Sequence, residues 1–108
     1  MDLTIIMVNY KCDREKLNTC LKSIFIKSKV LIIDHSHDLD QDQINIPDNI
    51  SLEIIKNKNL GNGAGINCGL ENAKTKYVLY LDIDTILPNE FFKNLENVVE
   101  MVCDFAVI

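Results

Sequence analysis

Residues 77–88 read YVLYLDIDTILP, an apolar run that stops abruptly at two carboxylates, Asp82 and Asp84. A short run of aliphatic and aromatic residues fits a buried strand. Side chains at i and i+2 of a strand share a face about 6.5–7 Å apart, so both acids are expected to point into one cleft where the strand ends. Such a pair suits a divalent cation or a phosphate-bearing ligand. A plain strand running into a polar loop would carry the same letters, so the rest of the chain has to decide.

Residues 3–8 (LTIIMV) form another apolar run, bounded by Asn9 and Tyr10. Asp13 is placed to cap a helix running to about Phe25, because Leu17, Cys20, Leu21 and Ile24 recur at i, i+3, i+4 and i+7. A second strand, residues 30–33 (VLII), ends in Asp34, and residues 35–49 read as a polar surface loop carrying Pro47. A third strand is expected at residues 52–55. The glycine-rich stretch 58–65 (KNLGNGAG) then feeds a helix over residues 64–73. Beyond residues 77–88, Pro88 sits at a helix start, where its missing N–H is harmless. Phe91, Phe92, Leu95, Val98, Val99 and Val102 give that helix an apolar stripe to about Cys103, and residues 105–108 begin one more strand. Buried strands alternating with amphipathic helices imply an α/β, Rossmann-like three-layer sandwich with a mostly parallel sheet. Ligands bind such sheets beyond the carboxyl ends of the strands, near the switch in strand order. Asn9, Tyr10, Asp34, Asp82 and Asp84 all lie at such ends, and this convergence raises Asp-x-Asp above a plain loop.

Composition narrows the partners. With 108 residues, 47% apolar and 25% charged, the chain makes a single domain. A net charge of −5 with scattered lysines argues against nucleic acid, whose binders gather Lys and Arg on one face. No apolar run nears the roughly 18–20 residues that span a bilayer, and Asp2 without a basic stretch does not start a signal peptide. The expected location is the cytoplasm, with the inner face of the membrane as an extension of it. Cys12, Cys20, Cys68 and Cys103 lie far apart, so neither a zinc site nor a disulfide framework is expected.

Other chemistries fit less well. A dinucleotide loop would be G-x-G-x-x-G after the first strand, whereas Gly61, Gly63, Gly65 and Gly69 give G-x-G-x-G-x-x-x-G after the third. No G-K-[ST] follows. What remains is a helix N-terminus of small residues that brings backbone N–H groups close to an anion, or a tight turn packing helix on sheet. A haloacid dehalogenase-like phosphatase would end its opening strand in D-x-D-x-T, but here Thr85 comes one place too early and the motif follows three strands. His35 and His37 in DHSHD are read as polar loop residues, since no further metal-ligating partner is near in sequence.

Taken in order, the stretches LTIIMVNYKC, LNTCLKSI, VLIIDHSHD and NKNLGNGAGINCGLENAKTKYVLYLDIDTIL resemble the N-terminal, nucleotide-binding half of the family 2 glycosyltransferases, which have the GT-A fold. The resemblance runs over the whole chain. It implies transfer of a sugar from a nucleotide-diphosphate sugar to an acceptor hydroxyl, with inversion, as in polysaccharide biosynthesis, the acceptor being a glycan or lipid-linked glycan. It implies that Asn9 and Tyr10 lie under the base and that Asp34 holds the base or ribose. Gly63 and Asn67 would lie along the nucleotide, and Lys56 would reach base or phosphate. Asp82, nearer the ribose, and Asp84 would bind Mg²⁺ or Mn²⁺, a hard cation that stabilises the departing diphosphate. The family's general base lies well beyond its metal motif, and Asp104 does not match it. The chain is therefore expected to be the donor part alone, its sheet incomplete at the C-terminus and inactive by itself. A non-catalytic nucleotide-binding module, or one that self-associates through an exposed sheet edge, is the other expectation.

Overall fold

The computed structural model describes residues 1–58 and 61–102. Two central strands anchor it. β1 (Leu3–Asn9) and β2 (Ser28–Asp34) are buried along nearly their whole length, as their unbroken apolar runs require, and flank each other in parallel from Thr4↔Lys29 to Asn9↔Asp34. β3 (Ile50–Lys56) adds to the far side of β2, and β4 (Tyr77–Tyr80) to the free side of β1. The order is β3-β2-β1-β4 and every pairing is parallel. This is the expected α/β sheet, with all described strands parallel rather than most.

Side-chain alternation divides the sheet into two faces. Leu3, Ile5 and Met7 of β1, with Val30 and Ile32 of β2, turn to one face and meet Leu17 and Leu21 of α1 (Arg14–Lys22) and Phe92, Leu95 and Val99 of α3 (Phe91–Val102) in one buried cluster. Burying each such aliphatic side chain stabilises the fold by about 1.5–3 kcal/mol before chain entropy is set against it. The opposite face of β1 and β2 is covered by α2 (Asn62–Asn72). The contact there is unusually close. A Cβ added at Gly69 would lie 2.5 Å from Ile6 Cγ2, and one at Gly65 would lie 2.7 Å from Val8 Cγ2. Glycine at these two positions lets the helix backbone rest on the β1 side chains.

Boundaries moved where hydrogen bonds end an element. Asp13 does cap α1, its carboxylate accepting from Glu15 N at 2.9 Å, but the helix stops at Lys22. Ser23 N–H turns back to Cys20 and Thr19 carbonyls, and Phe25 lies beyond, exposed. Pro88 precedes α3 by a turn that Phe91 N–H closes on its carbonyl, so it leads into the helix instead of starting it. β3 and the central strands extend one or two residues past their apolar cores. The polar loop after Asp34 contains a single 3₁₀ turn, Gln41–Gln43. The expected strand at residues 105–108, with Cys103 and Asp104, lies outside the described residues. Among the described residues no helix is long and apolar enough to cross a membrane.

The two glycine environments in α2 predict opposite signs. Gly69→Ala is expected to destabilise the chain by about 1–3 kcal/mol through overpacking on Ile6. Gly63→Ala, with no atom within 4 Å of the added Cβ, should be neutral or stabilising by up to about 1 kcal/mol, as alanine favours helix. Urea unfolding midpoints of the two variants decide it.

Candidate functional site

The strand order places a topological switch between β1 and β4: the chain steps from β1 outward to β2 and β3, then returns to the other flank of β1. Polar groups crowd the carboxyl ends around that point, where open parallel sheets take ligands. Asn9 ends β1, Asp34 ends β2, and Asp82 follows β4 by two residues. Lys56 ends β3, at the far edge, about 14 Å from β4 at three interstrand spacings.

Asn9 and Asp34 are register partners, and neither is exposed. Asn9 Nδ2 donates to Asp34 Oδ1 at 2.8 Å, and lies within reach of Ser36 Oγ at 3.0 Å and Asp38 Oδ1 at 3.1 Å. Its Oδ1 accepts from Cys12 N at 3.0 Å. Asp34 Oδ2 accepts from Leu39 N at 3.0 Å. The carboxylate that the resemblance gives to base or ribose is thus enclosed, with both oxygens taken by the protein. Outside it stands Asp38, held by Ser36 Oγ and by the Arg14 guanidinium. The Ser36 hydroxyl first, then Asn9 and Arg14, hold the Asp38 carboxyl below its ordinary 3.8. Tyr10 is exposed beside this knot, with Lys11 Nζ 5.4 Å from its ring centre. Lys56 Nζ donates to His37 O at 3.3 Å on the outer rim.

The two motif acids are not on a strand. Pairing ends where Leu81 N–H meets Ile6 O, and Thr85 N–H then closes a turn on Asp82 O at 3.0 Å. The i, i+2 strand geometry expected for them does not hold. Asp82 Oδ1 accepts from Tyr80 OH at 3.0 Å, while Asp84 borders a depression at the first turns of α1 with Asp13, Lys16 and Thr19. The turn is tied to α1 from below, since Leu87 N donates to Ser23 Oγ and the Cys20 thiol approaches Asp82 O. Burial, then the Asp84 charge, push the Cys20 thiol up to about 11, so it stays protonated and donates. Burial and then Asp82 likewise raise the Tyr80 hydroxyl, which keeps its proton for the carboxylate.

Gly63 and Asn67 stand exposed one turn apart on α2. Open space lies over Gly61 and Gly63, so the helix N-terminus is approachable by an anion. His35 and His37 part company: His35 is buried with Cε1 3.1 Å from where a Gly65 Cβ would lie, and His37 is exposed with Nε2 2.8 Å from Asn57 O. Among the described residues no three His, Cys, Asp or Glu side chains gather as a metal cage. Two exposed carboxylates still suit a hard cation that takes most of its oxygens from water and phosphate. A hollow of about 410 Å³ near Lys27, Lys29 and Thr75 opens at the opposite, amino ends of the strands and contains none of the predicted residues. Tyr80, Ser36, Asp38 and Arg14 were not singled out for the site from sequence, although Tyr80 and Asp82 have the i, i+2 spacing.

Asp34→Asn turns an acceptor of two N–H groups and a hydroxyl into a partial donor inside the fold. It is expected to destabilise the chain by about 2–3 kcal/mol, and Asp38→Asn, on the surface, by under about 1 kcal/mol. The Asp38 contribution, from a depressed acid, is complete above its ordinary value and fades as pH falls through the folded one; urea titrations of both variants at pH 7 and pH 3 read these effects.

Comparison with known proteins agrees with this fold. The chain is similar in structure to S. aureus TarS residues 1–349, with a TM-score of 0.67 and 18% identity over 94% of this chain. It spans 33% of that structure. No curated protein matches the sequence. One family model, described as glycosyl transferase family 2, matches residues 4–106. The parallel sheet and this match over nearly the whole length together place the chain in glycosyl transferase family 2.

Proposed function

We propose that the chain forms the donor side of an inverting glycosyltransferase, binding a nucleotide-diphosphate sugar with Mg²⁺ or Mn²⁺ for transfer of its sugar to an acceptor hydroxyl. The observation that carries this reading is the gathering of Asn9, Asp34 and the Asp82 turn around the β1/β4 switch. Roles divide by exposure. Tyr10 offers an open aromatic face to the base, while Asn9 and Asp34, saturated by their own hydrogen bonds, fix the floor beneath it. Gly63 and Asn67 border the nucleotide, the glycine admitting the ligand close to backbone N–H groups whose partial positive charge favours phosphate.

Asp82 and Asp84 would hold the cation. When bound, it supplies positive charge to the diphosphate as that group departs. The carboxylates reconcile an acidic chain of net charge −5 with a polyanionic ligand. Lys56, engaged with His37 O at the β3 edge, is the outermost group a base or phosphate would meet. The base that deprotonates the acceptor is assigned to no residue of this chain.

Calorimetric titration with UDP, GDP and TDP, with and without Mn²⁺, tests the reading. One of them is expected to bind more tightly with Mn²⁺, and Asp84→Asn to weaken that metal-dependent binding by at least about tenfold. Absence of binding by all three to the folded chain would overturn it. Gly63→Ala should lower nucleotide affinity while leaving stability unharmed, which separates its binding role from its place in the helix.

A further inference from the structure

We infer that Tyr80 is the positioning residue of the carboxylate motif, its hydroxyl fixing Asp82 so that one carboxylate oxygen is presented to the metal–nucleotide complex. The inference rests on the donor and metal reading given above. Tyr80 is the last residue of β4 and pairs in register with Ile6 of the central strand, so its backbone is fixed by the sheet. From there the side chain places its OH 3.0 Å from Asp82 Oδ1. Asp82 O is meanwhile held by Thr85 N at 3.0 Å and approached by the Cys20 thiol. Backbone and carboxylate of Asp82 are therefore both anchored, although the residue lies beyond the strand and is exposed.

The anchoring is one-sided. Among the described residues nothing hydrogen-bonds Asp82 Oδ2, and nothing hydrogen-bonds the Asp84 carboxylate. A free carboxylate on an exposed turn samples several rotamers, and a ligand must stop that motion when it binds. With Oδ1 already engaged, Oδ2 of Asp82 is set in advance. The chemical type of the anchor also matters. A lysine or arginine in the same place would neutralise Asp82 and compete with a cation, whereas a neutral hydroxyl orients the carboxylate and leaves its charge available. Tyr80 thus acts through Asp82 and contacts no ligand itself.

A double-mutant cycle on the 108-residue chain tests this, with Mn²⁺ binding followed by loss of the free Mn²⁺ paramagnetic resonance signal. The titration is run beside whichever of UDP, GDP and TDP binds most tightly. Tyr80→Phe keeps the ring and its packing, so the thermal midpoint and metal-free nucleotide binding should stay as they are. Mn²⁺ affinity is expected to fall about three- to tenfold. In the Asp82→Asn background the same change should have no further effect, because the group being positioned is gone. Unchanged Mn²⁺ affinity in Tyr80→Phe, beside a loss in Asp82→Asn, overturns this inference alone. An equal loss in both backgrounds, or a parallel loss of metal-free nucleotide binding, also overturns it. No Mn²⁺ binding by the unsubstituted chain overturns the metal reading, and this inference with it.

Discussion

The amide of Asn9 bonded to the carboxylate of Asp34 at 2.8 Å is the interaction on which the carboxyl edge of the sheet depends. Both groups are fully enclosed, where an unpaired charge would be strongly destabilising. The pairing is tolerated because every remaining oxygen also finds a donor, from Cys12 N on one side to Leu39 N on the other. Two loops are thereby bound to the ends of two adjacent strands. The loop after β1 presents Tyr10, and the loop after β2 presents Asp38 and the His37 that meets Lys56. Removing either buried partner would unfasten both.

Much of the architecture was legible in the letters. Central strands of a parallel sheet are covered on both faces, so LTIIMV and VLII had to be continuous apolar runs, and the periodicity of Leu17, Cys20 and Leu21 marked a helix packed by one stripe. The order of these pieces also resolved the family, where no single motif did. What could not be read was where pairing partners stop. The strand of Tyr77 ends at Tyr80 although β1 runs on to Asn9, because the chain turns away after Leu81 and Thr85 N–H closes on Asp82 O instead of on a neighbouring strand. Hence the motif acids were expected on a strand and lie in a turn.

The burial of Asp34 was equally hidden. An acid after an apolar run reads as surface-facing, and only the fold brings Asn9, Ser36 and Leu39 N around it. The glycines show the reverse case. Their spacing failed two phosphate-loop patterns, and the structure gives two of them a packing reason, Gly65 and Gly69 lying on Val8 and Ile6, while open space lies over Gly61 and Gly63. One glycine-rich stretch therefore packs helix on sheet at one end and leaves open space at the other.

The strand order β3-β2-β1-β4 also governs when the carboxyl edge of the sheet is completed. Pairing of β1 with β2, and β2 with β3, closes comparatively short stretches of chain. Joining β4 to β1 closes the longest one, and its entropy must be met before its contacts repay it. A chain with only the first three strands assembled already contains the Asn9–Asp34 pair, yet its Asp82 turn is not in place. The gathering of polar groups around the β1/β4 switch is thus a kinetic latecomer, complete only in chains that have made their longest-range closure.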